Sequence, residues 1–93
     1  MGRDYSKLDA FQMADALVPR IYEATRAFPV EERFGLQSQI RRAAVSIPTN
    51  LVEISASDSA REYLHFVRIA LGSTQELEYL LELSSRLGFM SPR

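Results

Sequence analysis

The chain has 93 residues, 46% of them hydrophobic and 25% charged, and its formal net charge is −1 at pH 7. This length fits one domain with a thin core, and the near-neutral charge argues against strong bulk attraction to nucleic acid or to an anionic membrane. The lack of cysteine excludes a disulfide framework, a thiolate zinc site and a cysteine nucleophile. Because no apolar run approaches the roughly 20 residues that span a bilayer, and no signal-peptide pattern is present, we expect a cytoplasmic location of the bacterial type, or another reducing compartment, and no membrane partner.

The first predicted helix spans about residues 7–27. Its apolar residues fall three or four positions apart and therefore line one face, as in an amphipathic helix. Ser6 is the predicted N-cap. Pro19 lies inside the pattern and is expected to bend the helix, because it removes one backbone hydrogen bond. The pair Phe28–Pro29 ends the helix, since the residue before a proline disfavours helical geometry.

The second predicted helix covers about residues 31–55. Glu31 and Glu32 fall in its first turn, where the helix dipole favours negative charge. Phe34 belongs to the apolar set that gives this helix its buried face. Pro48 interrupts that set, so we predict one helix that is kinked at Pro48 rather than two independent helices.

The third predicted helix runs from about residue 60 to residue 87. Ser59 and Glu62 form a capping box at its start, and Gly88 is expected to close it in the left-handed conformation. Its apolar residues occupy more than one side of the helix. Those outside the main seam are Leu64, Val67, Leu71, Leu81 and Leu83. Such a helix is either the centre of a bundle or a surface that meets another subunit.

His65 is the only histidine in the sequence. Its helical neighbours three and four positions away carry no hydroxyl, so we expect a solvated imidazole paired with Glu62 and no Ser–His nucleophile pair. The carboxylates Glu76, Glu78 and Glu82 favour a solvated acidic face over acid–base catalysis, which needs burial to separate two pKa values. The sequence therefore predicts no enzyme, no cofactor, no metal ion and no small-molecule substrate.

Ten of the eleven basic residues are arginine, whose guanidinium group pairs with carboxylates and phosphates, and two interpretations remain open. In the first, the arginines form structural ion pairs. If the second and third helices are antiparallel, Arg42 comes close to the level of Glu76. Arg42, Asn50, Glu53 and Glu76 would then form a polar network that ties these two helices to each other and to neighbouring subunits.

In the second interpretation the protein is an RNA- or DNA-binding accessory protein. It would present an arginine patch to RNA or DNA. The predicted contact residues are Arg33, Arg41, Arg61 and Arg68. Steep salt dependence of binding would be its signature, because each neutralised phosphate releases counterions.

Several motifs occur in one register along nearly the whole chain. They are Phe28–Pro29, Glu32–Leu36, Gln39–Pro48, Asn50, Glu53, Glu62–Leu64, Ile69–Ser73, Glu76–Glu78 and Leu87–Phe89. Together they resemble the bacterial four-helix bundle family that is encoded by intervening sequences within 23S ribosomal RNA genes. The stretch from Gln39 to Pro48 is the most specific part of this resemblance.

The resemblance implies an antiparallel up-down bundle of four helices and a ring-shaped homopentamer. It also implies kinship to the accessory protein of diversity-generating retroelements, a pentamer that binds reverse transcriptase and nucleic acid. In the second interpretation, the resemblance therefore implies an arginine patch on a ring-shaped oligomer that contacts RNA or a nucleic-acid enzyme. We therefore predict a non-enzymatic, homo-oligomeric scaffold or adaptor with an all-α fold in a single domain, residues 1–93.

The chain departs from the family pattern at three places. Ile54 stands where the family usually has a glycine after its Asn-x-x-Glu motif, and Pro19 is not part of the pattern. Ser91–Pro92 resembles the start of a fourth helix, but the sequence ends at Arg93. We therefore expect a three-helix chain in which the fourth helix of the family is missing or truncated, so that another chain or a longer natural protein supplies the missing wall.

Overall fold

The computed structural model describes residues 4–91 of the chain. Within that range the chain forms three α-helices and no strand, so the prediction of an all-α protein is confirmed. The helices are α1 (Asp9–Thr25), α2 (Leu36–Ala56) and α3 (Ala60–Arg86), and two short 3₁₀ turns cover Tyr5–Lys7 and Val30–Glu32. None of these helices has both the length and the apolar character that crossing a membrane requires.

Helix α2 lies between the other two helices. Both α1 and α3 pack against it, whereas no Cα atom of α1 comes within 8 Å of a Cα atom of α3. A short connection between α2 and α3 turns the chain back, so these two helices are antiparallel. The helices run up, down and up, in a body 44 Å long and 22 Å across.

The hydrophobic core forms where α2 faces its two neighbours. Ile40 is fully buried at 0% exposure. The other buried apolar residues of the same cluster are Ile21, Phe28, Leu36, Ala43, Ala44, Leu77 and Leu80. Because Ala43 and Ala44 are small, the helix axes can approach closely at this level.

The start of α2 corrects the predicted boundary near residue 31. Residues Val30–Glu32 form a separate 3₁₀ turn, and α2 begins only at Leu36. The Glu32 carboxylate accepts the backbone N–H of Leu36 at 3.0 Å and so caps α2 from outside the helix. Gly35 leaves room for this contact, because a Cβ atom at that position would lie 2.9 Å from Glu32 Oε1.

The start of α1 also differs from the prediction. Ser6 is not the N-cap, because the cap position is Leu8, whose side chain makes no capping hydrogen bond. Ser6 instead lies in the preceding 3₁₀ turn, where its backbone N–H donates to Asp4 Oδ1 at 3.1 Å. Helices α1 and α2 both continue through their internal prolines, Pro19 and Pro48.

The two ends of α3 follow the predicted chemistry with one change. The Ser59 hydroxyl accepts the N–H of Glu62 at 3.1 Å, as in a capping box. The Glu62 carboxylate, however, accepts from the backbone of Asp58 rather than that of Ser59. Gly88 has a φ of 81°, so the predicted left-handed cap is confirmed. Pro92, the second residue of the predicted fourth-helix start, lies outside the described residues.

Candidate functional site

Arg41 fastens α2 to the end of α1. Its Nε donates to the Thr25 hydroxyl at 2.9 Å and its Nη2 donates to the Tyr22 carbonyl at 3.1 Å. The same guanidinium lies over the Tyr22 ring, 4.4 Å from its centre. Gln37 adds a hydrogen bond to the Thr25 carbonyl at 2.8 Å. A cation at the C-terminal end of a helix also interacts favourably with the helix dipole. Arg41 and Gln37 thus supply hydrogen-bond donors, and Arg41 supplies positive charge, to the last turn of α1.

An open groove of about 690 Å³ lies on the outer side of α2, next to Arg41. We call it the arginine groove because Arg33, Arg41 and Arg42 all line it. None of the described residues that line it is acidic. Phe34 also lines it and is 89% exposed, with the Arg33 guanidinium 5.6 Å from the centre of its ring. The sequence had placed Phe34 on the buried face of the second helix. The expectation fails because α2 begins after this residue.

A polar contact joins α2 to α3 beside the arginine groove, which Ser46 also lines. The hydroxyls of Ser46 and Ser73 lie 2.8 Å apart, at hydrogen-bond distance. The buried Asn50 side chain donates to the carbonyl of Ser46 at 2.7 Å and to its hydroxyl at 3.0 Å. Asn50, Ser46 and Ser73 thus form a short chain of hydrogen bonds between the two helices.

The four residues of the predicted polar network have different surroundings. Asn50 is buried and hydrogen-bonded, whereas Glu53 is exposed. Arg42 and Glu76 line the same small groove between α2 and α3, but no ion pair joins them within the described part of the chain. Any tie through Arg42, Glu53 or Glu76 to a neighbouring subunit stays a prediction.

The four predicted nucleic-acid contacts do not form one patch. Arg33 and Arg41 meet in the arginine groove, where Arg42 joins them. Arg61 and Arg68 are exposed on the first half of α3. Arg33 lies just before the start of α2 and Arg61 lies in the first turn of α3. Because α2 and α3 are antiparallel, these two arginines are at opposite ends of the molecule.

The model of the 23S rRNA-intervening sequence protein family matches residues 6–93. The chain belongs to this family. The resemblance drawn from the sequence motifs is therefore confirmed. No curated protein matches the chain.

His65 in this family member is exposed, and its ring meets the Phe66 ring edge-on with centroids 5.0 Å apart. The predicted pairing with Glu62 is absent from residues 4–91, because the Glu62 carboxylate bonds to the Asp58 backbone instead. Within the same range, no group of three or more histidine, aspartate and glutamate side chains is arranged to hold a metal ion.

The described part of the chain leaves an apolar face of α3 largely exposed. Leu64, Val67 and Leu71 follow one another at helical spacing, and Leu64 and Leu71 are 49% and 61% exposed. Leu71 lies about 120° around the helix from Leu77, which is buried against α2. We call these three residues the open face of α3. All three residues belong to the apolar set that the sequence analysis places outside the main seam of the third helix.

Sequence reasoning missed Ser46 and Ser73 as a polar link. A signal was present, because Ser46 precedes Asn50 by one helical turn and Ser73 lies on the apolar seam of α3. Neither observation determines which residues of the two helices face each other. The contact could be predicted only if the register between α2 and α3 were known.

Proposed function

We propose that this member of the intervening-sequence family acts without catalysis, as a cytoplasmic scaffold or adaptor built from several copies of the chain. The observation that carries the proposal is the open face of α3. Leucine side chains that are about half exposed on a small helical domain favour association with another apolar surface.

The separation of α1 from α3 supports the same proposal. Two helices that both pack on α2 but stay apart from each other leave one corner of a four-cornered bundle open. Full burial of a leucine side chain stabilises by roughly 1.5–3 kcal/mol, so burial of the exposed parts of Leu64 and Leu71 contributes about 2–3 kcal/mol per copy. The family resemblance sets the expected assembly at five copies in a ring.

The case for a non-enzymatic role is chemical. Nucleophilic catalysis needs a base within hydrogen-bond reach of a hydroxyl or thiol. The exposed His65 ring lies against the Phe66 ring and makes no side-chain hydrogen bond with any residue in the range 4–91. The grooves on the described surface are open, and the carboxylates Glu76, Glu78 and Glu82 are all exposed. A surface of this kind suits contact with other macromolecules better than the exclusion of water that many reactions require.

Sedimentation velocity of a matched pair of variants tests the proposal. Leu71→Lys places a charge on the open face and should convert the assembly to monomer, because a buried unpaired charge opposes association. Leu87→Lys is the control, since Leu87 is 53% exposed on another side of the molecule. It should keep the wild-type sedimentation coefficient.

Circular dichroism separates lost association from lost folding, and both variants should keep the helical spectrum because both sites are exposed. A wild-type chain that sediments as a monomer would overturn the proposal. So would a Leu71→Lys variant that assembles like Leu87→Lys.

A further inference from the structure

The arginine groove concentrates positive charge on a protein whose net charge is −1. The Arg42 side chain makes no hydrogen bond or ion pair with any described residue. The Arg33 guanidinium makes none either within residues 4–91, and it lies 5.6 Å from the centre of the Phe34 ring. Arg41 is held in place by Tyr22 and Thr25. Two guanidinium groups are therefore free to take a ligand beside a third that is fixed. Guanidinium forms paired hydrogen bonds with phosphate oxygens.

An exposed aromatic ring accompanies these cations. Phe34 is 89% exposed, although burial of a phenylalanine ring would normally stabilise a fold. Tyr22 is the second ring in the groove, but it is only 40% exposed and Arg41 lies over it at 4.4 Å. The Arg33 guanidinium lies over one face of the Phe34 ring at the longer distance of 5.6 Å. The far more exposed Phe34 ring therefore offers the larger surface for stacking. Aromatic rings beside basic side chains bind the bases of single-stranded nucleic acid without regard to sequence.

The groove is long and open rather than enclosed. From Ser38 to Thr49, both of which line it, α2 rises by roughly 16 Å, about the length of four to five stacked nucleotides. An open channel of this length suits an extended strand, whereas a free nucleotide would be held better by a closed pocket.

We propose that the arginine groove binds single-stranded nucleic acid, with backbone phosphates on Arg33 and Arg42 and one base stacked on Phe34. A duplex would leave Phe34 unused, because its bases are already paired and stacked. An acidic peptide would engage the arginines but gives the exposed ring no planar partner. Binding at this site would be a second function beside the proposed scaffold role. Arg61 and Arg68 lie outside the groove and take no part in it.

Fluorescence anisotropy with a labelled ten-residue oligouridine tests this proposal on the full chain. Phe34→Ala should weaken binding roughly tenfold, and Phe34→Trp should restore it, because loss of a stacked base is a substantial part of such an affinity. Arg42→Glu should weaken binding by at least as much, whereas Arg68→Glu, on α3, should change it less than about twofold. The logarithm of affinity should fall with the logarithm of salt concentration with a slope of about −1.4 to −2, as expected for two or three phosphates.

Inorganic polyphosphate and uridine monophosphate complete the design. Polyphosphate carries charge without bases. The polyphosphate affinity that is derived from competition with oligouridine should therefore be the same for the Phe34→Ala variant and the wild type. If the Phe34→Ala variant binds oligouridine with the same affinity as the wild type, the proposal is overturned in favour of a general polyanion or acidic-peptide surface. Competition by the monophosphate as strong, per base, as that by unlabelled oligouridine would also overturn it, in favour of a nucleotide pocket.

Two outcomes concern the arginines. Equal weakening by Arg42→Glu and Arg68→Glu would contradict a localised site. If Arg42→Glu alters the assembly, the Phe34→Ala and Phe34→Trp pair still decides the proposal, because Phe34 lies before α2 and is exposed. Sedimentation of each variant distinguishes loss of this site from loss of the proposed oligomer.

Discussion

The two contacts that α2 makes are built in different ways. Its contact with α1 includes hydrogen bonds from Arg41 and Gln37 to the last turn of α1. Its contact with α3 extends along the helices, with Ala43 buried at the interface and the Ser46–Ser73 hydrogen bond as its polar link. Helix α1 thus has its polar ties at its last turn, whereas α3 is held by packing along its length. No Cα atom of one outer helix comes within 8 Å of a Cα atom of the other, and the open face of α3 is left exposed.

The largest effect should come from the packed contact. Leu77→Ala removes a side chain that is 4% exposed and leaves a cavity beside α2. We expect a loss of about 2–5 kcal/mol in the free energy of unfolding, measured by urea denaturation. Leu87→Ala, which truncates an exposed leucine, should cost less than about 1 kcal/mol. Equal losses from the two variants would show that α3 is not held by packing.

An intermediate effect on stability should follow when the contacts of Arg41 with the last turn of α1 are removed. Arg41→Ala removes two hydrogen bonds and the contact with the Tyr22 ring, and should reduce stability by about 1–3 kcal/mol. Hydrogen exchange should localise the change to the last turn of α1. Arg41→Lys should not rescue it, because an ammonium group lacks the planar fork that reaches both acceptors. Arg26→Ala is the control, since the Arg26 side chain is 73% exposed.

The smallest effect should come from the hydroxyl pair. Ser73→Ala removes one partner of Ser46 and should cost about 1 kcal/mol. Ser46→Ala should cost more, because Asn50 also loses an acceptor. A double-mutant cycle between Ser46 and Ser73 measures the interaction itself. A coupling energy of zero would mean that packing alone holds this contact.

Gly72→Ala is expected to raise the stability of the protein, in contrast to the three preceding substitutions. Gly72 lies inside α3, and a Cβ atom there would meet nothing within 4 Å. The substitution should raise stability by about 0.5–1 kcal/mol, because glycine is a poor helix former. Gly35→Ala should instead lower it, since the new Cβ would displace the Glu32 carboxylate that caps α2. Thermal unfolding that moves both variants in the same direction would contradict this account.

Local chemistry made much of this fold predictable. The spacing of apolar residues indicated three helices, and the Ser59 and Gly88 caps followed from residue type, because each depends on a few neighbouring positions. The start of α2 was not predictable in the same way. Periodicity continues through residues 31–35, and only the capping by Glu32 and the backbone angles at Gly35 show that the helix begins later.

The candidate sites were harder to predict than the helices. Arg33 and Arg41 were predicted as nucleic-acid contacts, which stays a prediction, and the structure places both in one groove. The sequence could not reveal that Arg41 also holds α1 or that Arg42 joins them. Arg61 was grouped with them by residue type, although the antiparallel order of α2 and α3 separates it from Arg33. Such groupings depend on the register between helices, which no single helix encodes.

Native mass spectrometry of the unmodified chain, with the denatured intact mass taken from the same sample, would show whether the chain assembles. If the open face of α3 joins copies of the chain, the spectrum should contain a discrete complex of several copies, five by family resemblance. A chain that remains monomeric in this measurement, with the expected intact mass, would contradict the scaffold proposal.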